Sequence, residues 1–462
     1  MVNQALDRAV YEKYIAPTCR PKTQNVGIEL EFPVVNLSGG AVDFALVHRM
    51  TEAFASHFGF SDQKLDDEGA PYSAVCPENG DCLSFDCSYN TLELSFGKEL
   101  DINVIFDRFQ AYYSFVQERL LPEQHTLTGM GINPGWRVNA RQPIPNGRYR
   151  MLLHHLSSYP EYGNIIPFHR HPDFGLFACA SQVQLDVEAG DIIPTLHAFS
   201  RLEPFKSLLF ANSYFDADGG WLLARDWFWR ESVHGLNRKN VDFYDEKIQT
   251  LPELTDYIGQ TSIFCAERDG RYLNFRPTPV EEYVSMDSIR GTYYENGGYH
   301  TMEFQPQLRD LAYLRSYKLE DLTYRGTIEY RSVCQQPVNQ VMAAAAFHAG
   351  LAEELGAVRD FLAADHALYG HGRTMAELRD QINRRGLPTW ADKAAVAKAL
   401  LELLELARSG LLKRGSGEER FLEPLYARAE QVLSPAQELA DALHSGVTMN
   451  TMIRKYAELS GF

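Results

Sequence analysis

The sequence predicts an α+β protein, with a mostly antiparallel sheet wrapped by helices and a helical C-terminal portion. Three observations lead there. Segments at 26–36, 83–96, 178–187 and 326–333 are apolar runs or alternations with the period of a strand. Stretches of helical spacing at 41–58 and 101–120 stand between them. Beyond Gln335 the composition turns to Ala, Leu, Glu and Arg with helical spacing, as in ADKAAVAKALLELLELARSGLL. The expected division is therefore a sheet portion over 1–335 and a helical portion over 336–462.

With 462 residues, 45% hydrophobic and 23% charged, the chain has material for one large or two ordinary domains. No apolar stretch approaches the roughly 20 residues of a bilayer helix, and MVNQALDRAVYEKYIAPTCRPK lacks a signal-peptide apolar region, so no membrane partner is expected. A net charge of −17 argues against nucleic acid, which needs a basic footprint. Seven thinly spread cysteines fit free thiols in a reducing cytoplasm. Cys76, Cys82 and Cys87 match no C-x-x-C zinc pattern.

The first strand, VGIELEFPVVN, sets Glu29 and Glu31 on one face, with Ile28, Leu30 and Phe32 on the other. Two carboxylates less than about 7 Å apart on a covered strand repel each other and resist desolvation. A cation of the Mg²⁺ or Mn²⁺ type resolves both problems, and it points to nucleotide chemistry. After the helix over 41–58 comes a polar loop through Gly80, then a second carboxylate-bearing strand with Leu92 and Leu94 opposite Glu93 and Ser95, and with Asp86 in a turn or bulge before it. The helix over 101–120 has Asp101 as N-cap and Pro122 as stop.

Residues 129–150 (GMGINPGWRVNARQPIPNGRYR) form an expected functional loop, ordered by Trp136 and Tyr149 and basic through Arg137, Arg141, Arg148 and Arg150. His169 and His171 are expected on the surface and not as metal ligands. In ACASQVQLDV, Gln182 and Gln184 share a face and need partners that a ligand could supply. Residues 191–212 read as a helix pair or one Pro-kinked helix, and RDWFWRESVHGLNRK again mixes cations with indoles, suited to an anionic small molecule. In GTIEYRSV, Glu329 and Arg331 share one face. No glycine-rich phosphate loop follows any strand, so a bound triphosphate would be held by metal and arginine.

Taken in order, these segments resemble the glutamate–cysteine ligases, within the carboxylate–amine ligases that share a glutamine-synthetase-like sheet. GIELEF resembles the family's G-x-E-x-E strand, and DCSYNTLELSF the D-x-S-x-x-x-L-E-L block of bacterial members. GMGINPGWR with PIPNGRYRML resembles the plant-type loop, SQVQLDV the V-Q-V-N-L-D strand, and LLFANSYF the L-F-A-N-S-P-F box. ARDWFW is similar to S-x-R-x-x-x-W, GTIEYRSV to I-E-x-R-S, and ARSGLLKRG to the plant-type C-terminus.

The resemblance implies a curved, glutamine-synthetase-like sheet whose concave face carries the acidic strands. It also implies ATP-driven amide formation between the γ-carboxylate of glutamate and cysteine through a γ-glutamyl phosphate, with Mg²⁺ or Mn²⁺ as cofactor. By position, Glu29, Glu31, Glu93 and Glu329 become metal ligands, Arg331 the cation for the phosphoryl group, and Asp86 the seat of the acceptor amine. Gln182, Arg225 and Arg148 become binders of nucleotide, phosphate or substrate carboxylate. Expected partners are small molecules only, with the chain a monomer or homodimer. CSYNTLELS stands where plant-type members read E-P-G-G-Q-x-E-L-S, which leaves a different amine acceptor as the alternative.

Overall fold

In the computed structural model, which describes residues 2–365 and 367–459, the central strand is β1 (Val26–Asn36). Also from the N-terminal half come β2 (Asp62–Leu65), β3 (Pro71–Val75), β4 (Cys82–Phe85), β5 (Thr91–Glu99), β6 (His125–Leu127) and β7 (Ser181–Asp186). Later in the chain lie β8 (Val241–Asp242), β9 (Ser262–Arg268), β10 (Arg271–Pro279), β11 (Ile289–Glu295), β12 (Gly298–Phe304), β13 (Tyr317–Lys318), β14 (Glu320–Leu322) and β15 (Thr327–Tyr330).

Among the described residues, nine strands form one open sheet in the order β14-β15-β7-β1-β5-β4-β3-β2, with β6 paired to the far end of β1. β1 is antiparallel to β5, β6 and β7, and β15 is antiparallel to β7 and β14. Ile28, Leu30, Phe32, Leu92, Leu94, Val183, Leu185 and Ile328 are buried on the covered face. Helices Phe44–Phe58, Ile102–Leu120, Ile192–Phe210 and Ala343–Glu353 pack against strands of this sheet. A single core cluster includes β1 residues and residues of the C-terminal helices, such as Val396 and Leu404.

The helix starts follow local chemistry. Asp43 accepts from the amides of Ala45 and Leu46 at 2.9 and 3.3 Å, and Asp101 accepts from the amide of Asn103 at 2.8 Å. Gly59 ends the first of these helices in the left-handed conformation, φ 72°. Residues 192–210 make one helix with Pro204 inside it. This is the single-helix alternative of the two expected.

Ala343–Glu353 is Ala-rich and buried all round, and it crosses helix Lys393–Arg414 at a glycine pair. A Cβ on Gly410 would lie 1.9 Å from the Gly350 carbonyl oxygen, and one on Gly350 would lie 2.1 Å from that of Ala407. The two backbones therefore touch where no side chain fits. Gly410→Ala is expected to force the helices apart and to lower stability by about 1–3 kcal/mol, seen as a lower denaturant midpoint with unchanged slope.

Two expectations need correction, and one sheet had no counterpart among them. The polar loop before Gly80 contains β2 and β3, which at four and five residues are too short to show a clear apolar alternation. The segment 83–96 holds two strands and not one: β4 and β5 form a hairpin, with Asp86 in the turn as expected and Cys87 beside it at φ 61°. That conformation is costly for a residue with a Cβ, and it lies directly after Asp86. Residues 262–304 form a separate four-stranded sheet, β12-β11-β10-β9, which the sequence reading did not anticipate.

Candidate active site

Strand register builds the site. Glu31 pairs with Glu93 across β1 and β5, while Glu29 pairs with Ser95 on one side and with Gln182 of β7 on the other. Gln184 pairs with Gly27 and with Glu329 of β15. Because side chains alternate, Glu29, Glu31, Glu93, Gln182, Gln184 and Glu329 all leave the sheet on the face opposite the hydrophobic row.

Hydrogen bonds tie this row together. Gln184 Nε2 donates to Glu29 Oε1 at 3.0 Å and to Glu329 Oε1 at 2.9 Å, while its Oε1 accepts from Arg325 at 3.2 Å and Thr327 at 3.3 Å. Gln182 Nε2 donates to Glu31 Oε1 at 2.9 Å, and the Ala180 amide donates to Glu31 Oε2 at 2.6 Å. Ser95 Oγ donates to Glu93 Oε1 at 2.5 Å. Arg331 is ion-paired with Glu329 Oε2. The two amides expected to wait for a ligand are thus partly engaged by carboxylates already in place.

Burial and mutual repulsion govern protonation here. Glu29 is pushed up to about 8, first by burial and then by Glu329 and Glu93, against the pull of Arg331 and Arg325. Glu31, only 6% exposed, is driven well above the usual carboxylate range by burial, then by Asp86 and Glu93. Glu93 is raised by burial and by Asp86. Asp86 is raised by burial, partly offset by the guanidinium groups of Arg148, Arg331 and Arg225. A carboxylate in that state holds a proton more readily than an ordinary aspartate.

The sequence places its cations unequally. Arg225, on helix Ala224–Arg230, is buried and donates to the backbone carbonyls of Val333, Ser332 and Arg331 at 3.1, 3.4 and 3.3 Å. Its position is fixed by the chain around Arg331. Arg148 lies in the first turn of helix Gly147–Leu156 and faces Asp86 and Glu93. Its loop neighbours are engaged elsewhere: Arg137 with Asp216, Arg141 with Asp173, and Arg150 with Asp67.

The donor set fits a hard divalent cation. The carboxylates of Glu29, Glu31, Glu93 and Glu329 share one face, the first three at the expense of their own ionisation, and Gln182 Oε1 is buried without a hydrogen-bond partner. Among the described residues no three His, Cys, Asp or Glu side chains already converge as a ligand shell. Completing one would take rotamer shifts or oxygens from a phosphate.

Glu29 also carries a stability prediction. Its folded-state pKa near 8 lies above the unfolded value of about 4.3, so its contribution is present at low pH and is lost as pH rises through 8. The metal-free thermal midpoint should therefore fall across that window. Glu29→Gln should flatten the fall and melt higher than wild type at pH 8. It should also retain less than about a tenth of turnover at saturating Mg²⁺, a loss above ~1.4 kcal/mol.

Some members of the site were missed. Asp321 of β14 pairs with Glu329, is raised by burial, and faces Arg331. Arg325 reaches Gln184 from the β14–β15 turn. Tyr317 is among the groups interacting with Arg331, Asp86 and Arg148, and it stacks on Trp229 at 4.4 Å. The alternation of Asp321 with Leu322 was the only available signal, in a strand of three residues. His169 is corrected from surface to interior: it is 4% exposed and hydrogen-bonded to Tyr159 and the Phe228 carbonyl, and burial pushes it down to about 3. His171 pairs with Asp218 at 2.7 Å.

An open antiparallel sheet whose one face is apolar and helix-covered, while the other gathers carboxylates within a ring of arginines, is an α+β architecture with its candidate site on the sheet itself. The chain belongs to glutamate–cysteine ligase family 2, GCS2, whose model matches residues 25–458. It is 23% identical over 321 residues to the chloroplastic glutamate–cysteine ligase of Solanum lycopersicum, covering 68% of this chain and 57% of that one. With the Arabidopsis thaliana counterpart it shares 25% over 326 residues, covering 68% and 56%. The match thus spans little more than half the length of these relatives. Among solved structures, the bifunctional glutathione synthetase of Pasteurella multocida gives a TM-score of 0.48 at 13% identity, covering 99% of this chain and 52% of that one. The glutamate–cysteine ligase of Francisella tularensis in complex with AMP gives 0.47 at 10% identity, covering 94% and 87%.

Proposed function

We propose that the chain is an ATP-dependent ligase joining the γ-carboxylate of glutamate to the amino group of cysteine. Family membership supports the reaction class. The observation that carries the reading is the assembly, on one sheet face, of four glutamates from three strands beside Asp86, with Arg148, Arg225 and Arg331 facing them. We take this sheet to be the glutamine-synthetase-like catalytic sheet, with its acidic face concave. Seven unpaired cysteines support a reducing, cytoplasmic setting.

In this reading a γ-carboxylate oxygen of glutamate attacks the γ-phosphorus of ATP and ADP leaves. The amine then attacks the acyl carbon of the γ-glutamyl phosphate and inorganic phosphate leaves. Arg331, ion-paired with Glu329, offers its planar fork to the transferring phosphoryl group. Arg148 and Arg225 counter the charge of phosphate and substrate carboxylate. Asp86 seats the incoming ammonium and takes its proton, a role for which a raised pKa suits it. Mg²⁺ or Mn²⁺, held by Glu29, Glu31, Glu93 and Glu329 with Gln182 Oε1 at hand, would neutralise triphosphate charge.

The test is incubation of the pure protein with ATP, Mg²⁺, glutamate and a panel of amines, with products identified by mass. γ-Glutamylcysteine is the expected product. A faster reaction with another amine would reassign the acceptor, and ATP binding without turnover would overturn the ligase reading.

A further inference from the structure

The C-terminal helices reach the catalytic face through one buried cluster of charges. Arg379, on helix Met375–Arg385 and 3% exposed, donates from Nε to Asp226 Oδ2 at 2.6 Å. From Nη1 it donates to the Glu203 carbonyl at 2.8 Å and Ser207 Oγ at 2.6 Å, and it is ion-paired with the Glu203 carboxylate. Asn383, one turn on, donates to the same Asp226 oxygen at 2.9 Å. Its carbonyl accepts from the amides of Leu222 and Leu223 at 2.8 and 3.0 Å.

Two of these partners are sequence neighbours of the site's cations. Asp226 follows Arg225 on the same helix. Ser332 follows Arg331, and its hydroxyl donates to Glu203 Oε1 at 2.7 Å. Arg225 in turn donates to the carbonyls of 331–333, closing a loop of contacts from Arg379 through Asp226 and Arg225 to the 331–333 backbone, and back through Ser332 and Glu203.

The charges balance. Lys206 and Arg379 oppose Glu203 and Asp226, with Lys206 also donating to Glu320 at 3.0 Å. Burial favours the neutral form of Glu203, but Arg379 and Lys206 outweigh it and keep that carboxylate ionised; Glu320, pushed up by burial and by Glu203, keeps its proton. Each charge of the cluster faces an opposite one, although Arg379 Nη2, Glu203 Oε2 and Asn383 Oδ1 are buried without a hydrogen bond, and removing one member leaves buried charge without compensation.

We infer that Arg379 is a positioning residue for the ligase site: by gripping Asp226 and Glu203 together it fixes Arg225 and the backbone of Arg331 in one arrangement. The inference rests on the proposed reaction for its effect on turnover, but not for the positioning itself. Two readouts separate these.

Amide hydrogen exchange of the full chain should show that Arg379→Lys, which keeps the charge and loses the fork, speeds exchange at 222–228 and 331–334 while β1 and β5 stay protected. Arg385→Lys, exposed on the same helix, should change neither. In the ligation assay Arg379→Lys should lower kcat by about tenfold or more with KM for ATP moved less than about threefold, because the groups it places act in the transition state. The decisive step is the cycle with Arg225→Lys. If Arg379 acts through Arg225, the double variant loses little beyond Arg225→Lys alone. Additive losses, unchanged exchange at 331–334, or loosened exchange with unchanged kcat would each overturn the inference. Should the wild type catalyse no ligation, it is the reaction that fails, and the exchange experiment alone decides the positioning.

Discussion

Asp86→Asn is expected to separate the two halves of the reaction. Glutamate-dependent activation, trapped as the hydroxamate with hydroxylamine, should persist, while product formation with cysteine falls by ~10²-fold or more, the scale of a lost general acid–base group. The reason is geometric and electrostatic. Asp86 lies just past the end of β4, seven residues before Glu93, in a turn whose next residue has positive φ, and it faces three arginines. Its carboxylate is raised by burial, so it can take a proton from an ammonium and release it again. A residue that merely shaped the turn would alter stability and leave the ratio of the two assays at its wild-type value. Equal loss in both assays would move the acceptor amine away from Asp86.

Arg331→Lys should cut kcat by about 10²-fold or more and raise KM for ATP only slightly, since lysine carries the charge without the bidentate fork. The side chain leaves the end of β15, where Glu329 on one side and Asp321 across the hairpin hold it fully protonated. The same substitution leaves Glu329 with a cation, so the core beneath it should melt near the wild-type temperature. A change confined to KM would make Arg331 a ground-state binder only.

How much of this was legible in the sequence depended on how local the signal was. The E-x-E of β1 announced a strand with one charged and one apolar face, and the structure places Glu29 and Glu31 opposite Ile28, Leu30 and Phe32 in that sense. Asp101 as a cap was equally local. Arg148 was not separable from Arg137, Arg141 and Arg150, because what distinguishes them is the acidic partners of the other three, Asp216, Asp173 and Asp67, which come from separate stretches of chain. Asp321 and Arg325 depend on a hairpin of strands three and four residues long, too short for a period to register. Helix Ala343–Glu353 shows no amphipathic stripe because every side of it is covered. The Arg379 cluster joins residues more than a hundred positions apart, and nothing in the spacing of isolated Glu, Lys and Arg could announce it.

The pairing of β1 with both β5 and β7 has a consequence for how the protein comes to be active at all. A slip of β1 by a single residue would turn Glu29 and Glu31 into the hydrophobic layer and expose Ile28, Leu30 and Phe32 to the polar side. The misregistered chain would bury two unpartnered carboxylates and forfeit the apolar row of β1, so it is disfavoured before any substrate arrives. Quality control of the site is thereby delegated to folding itself: a molecule that has sealed its core has, by the same pairing, already lined up its carboxylates.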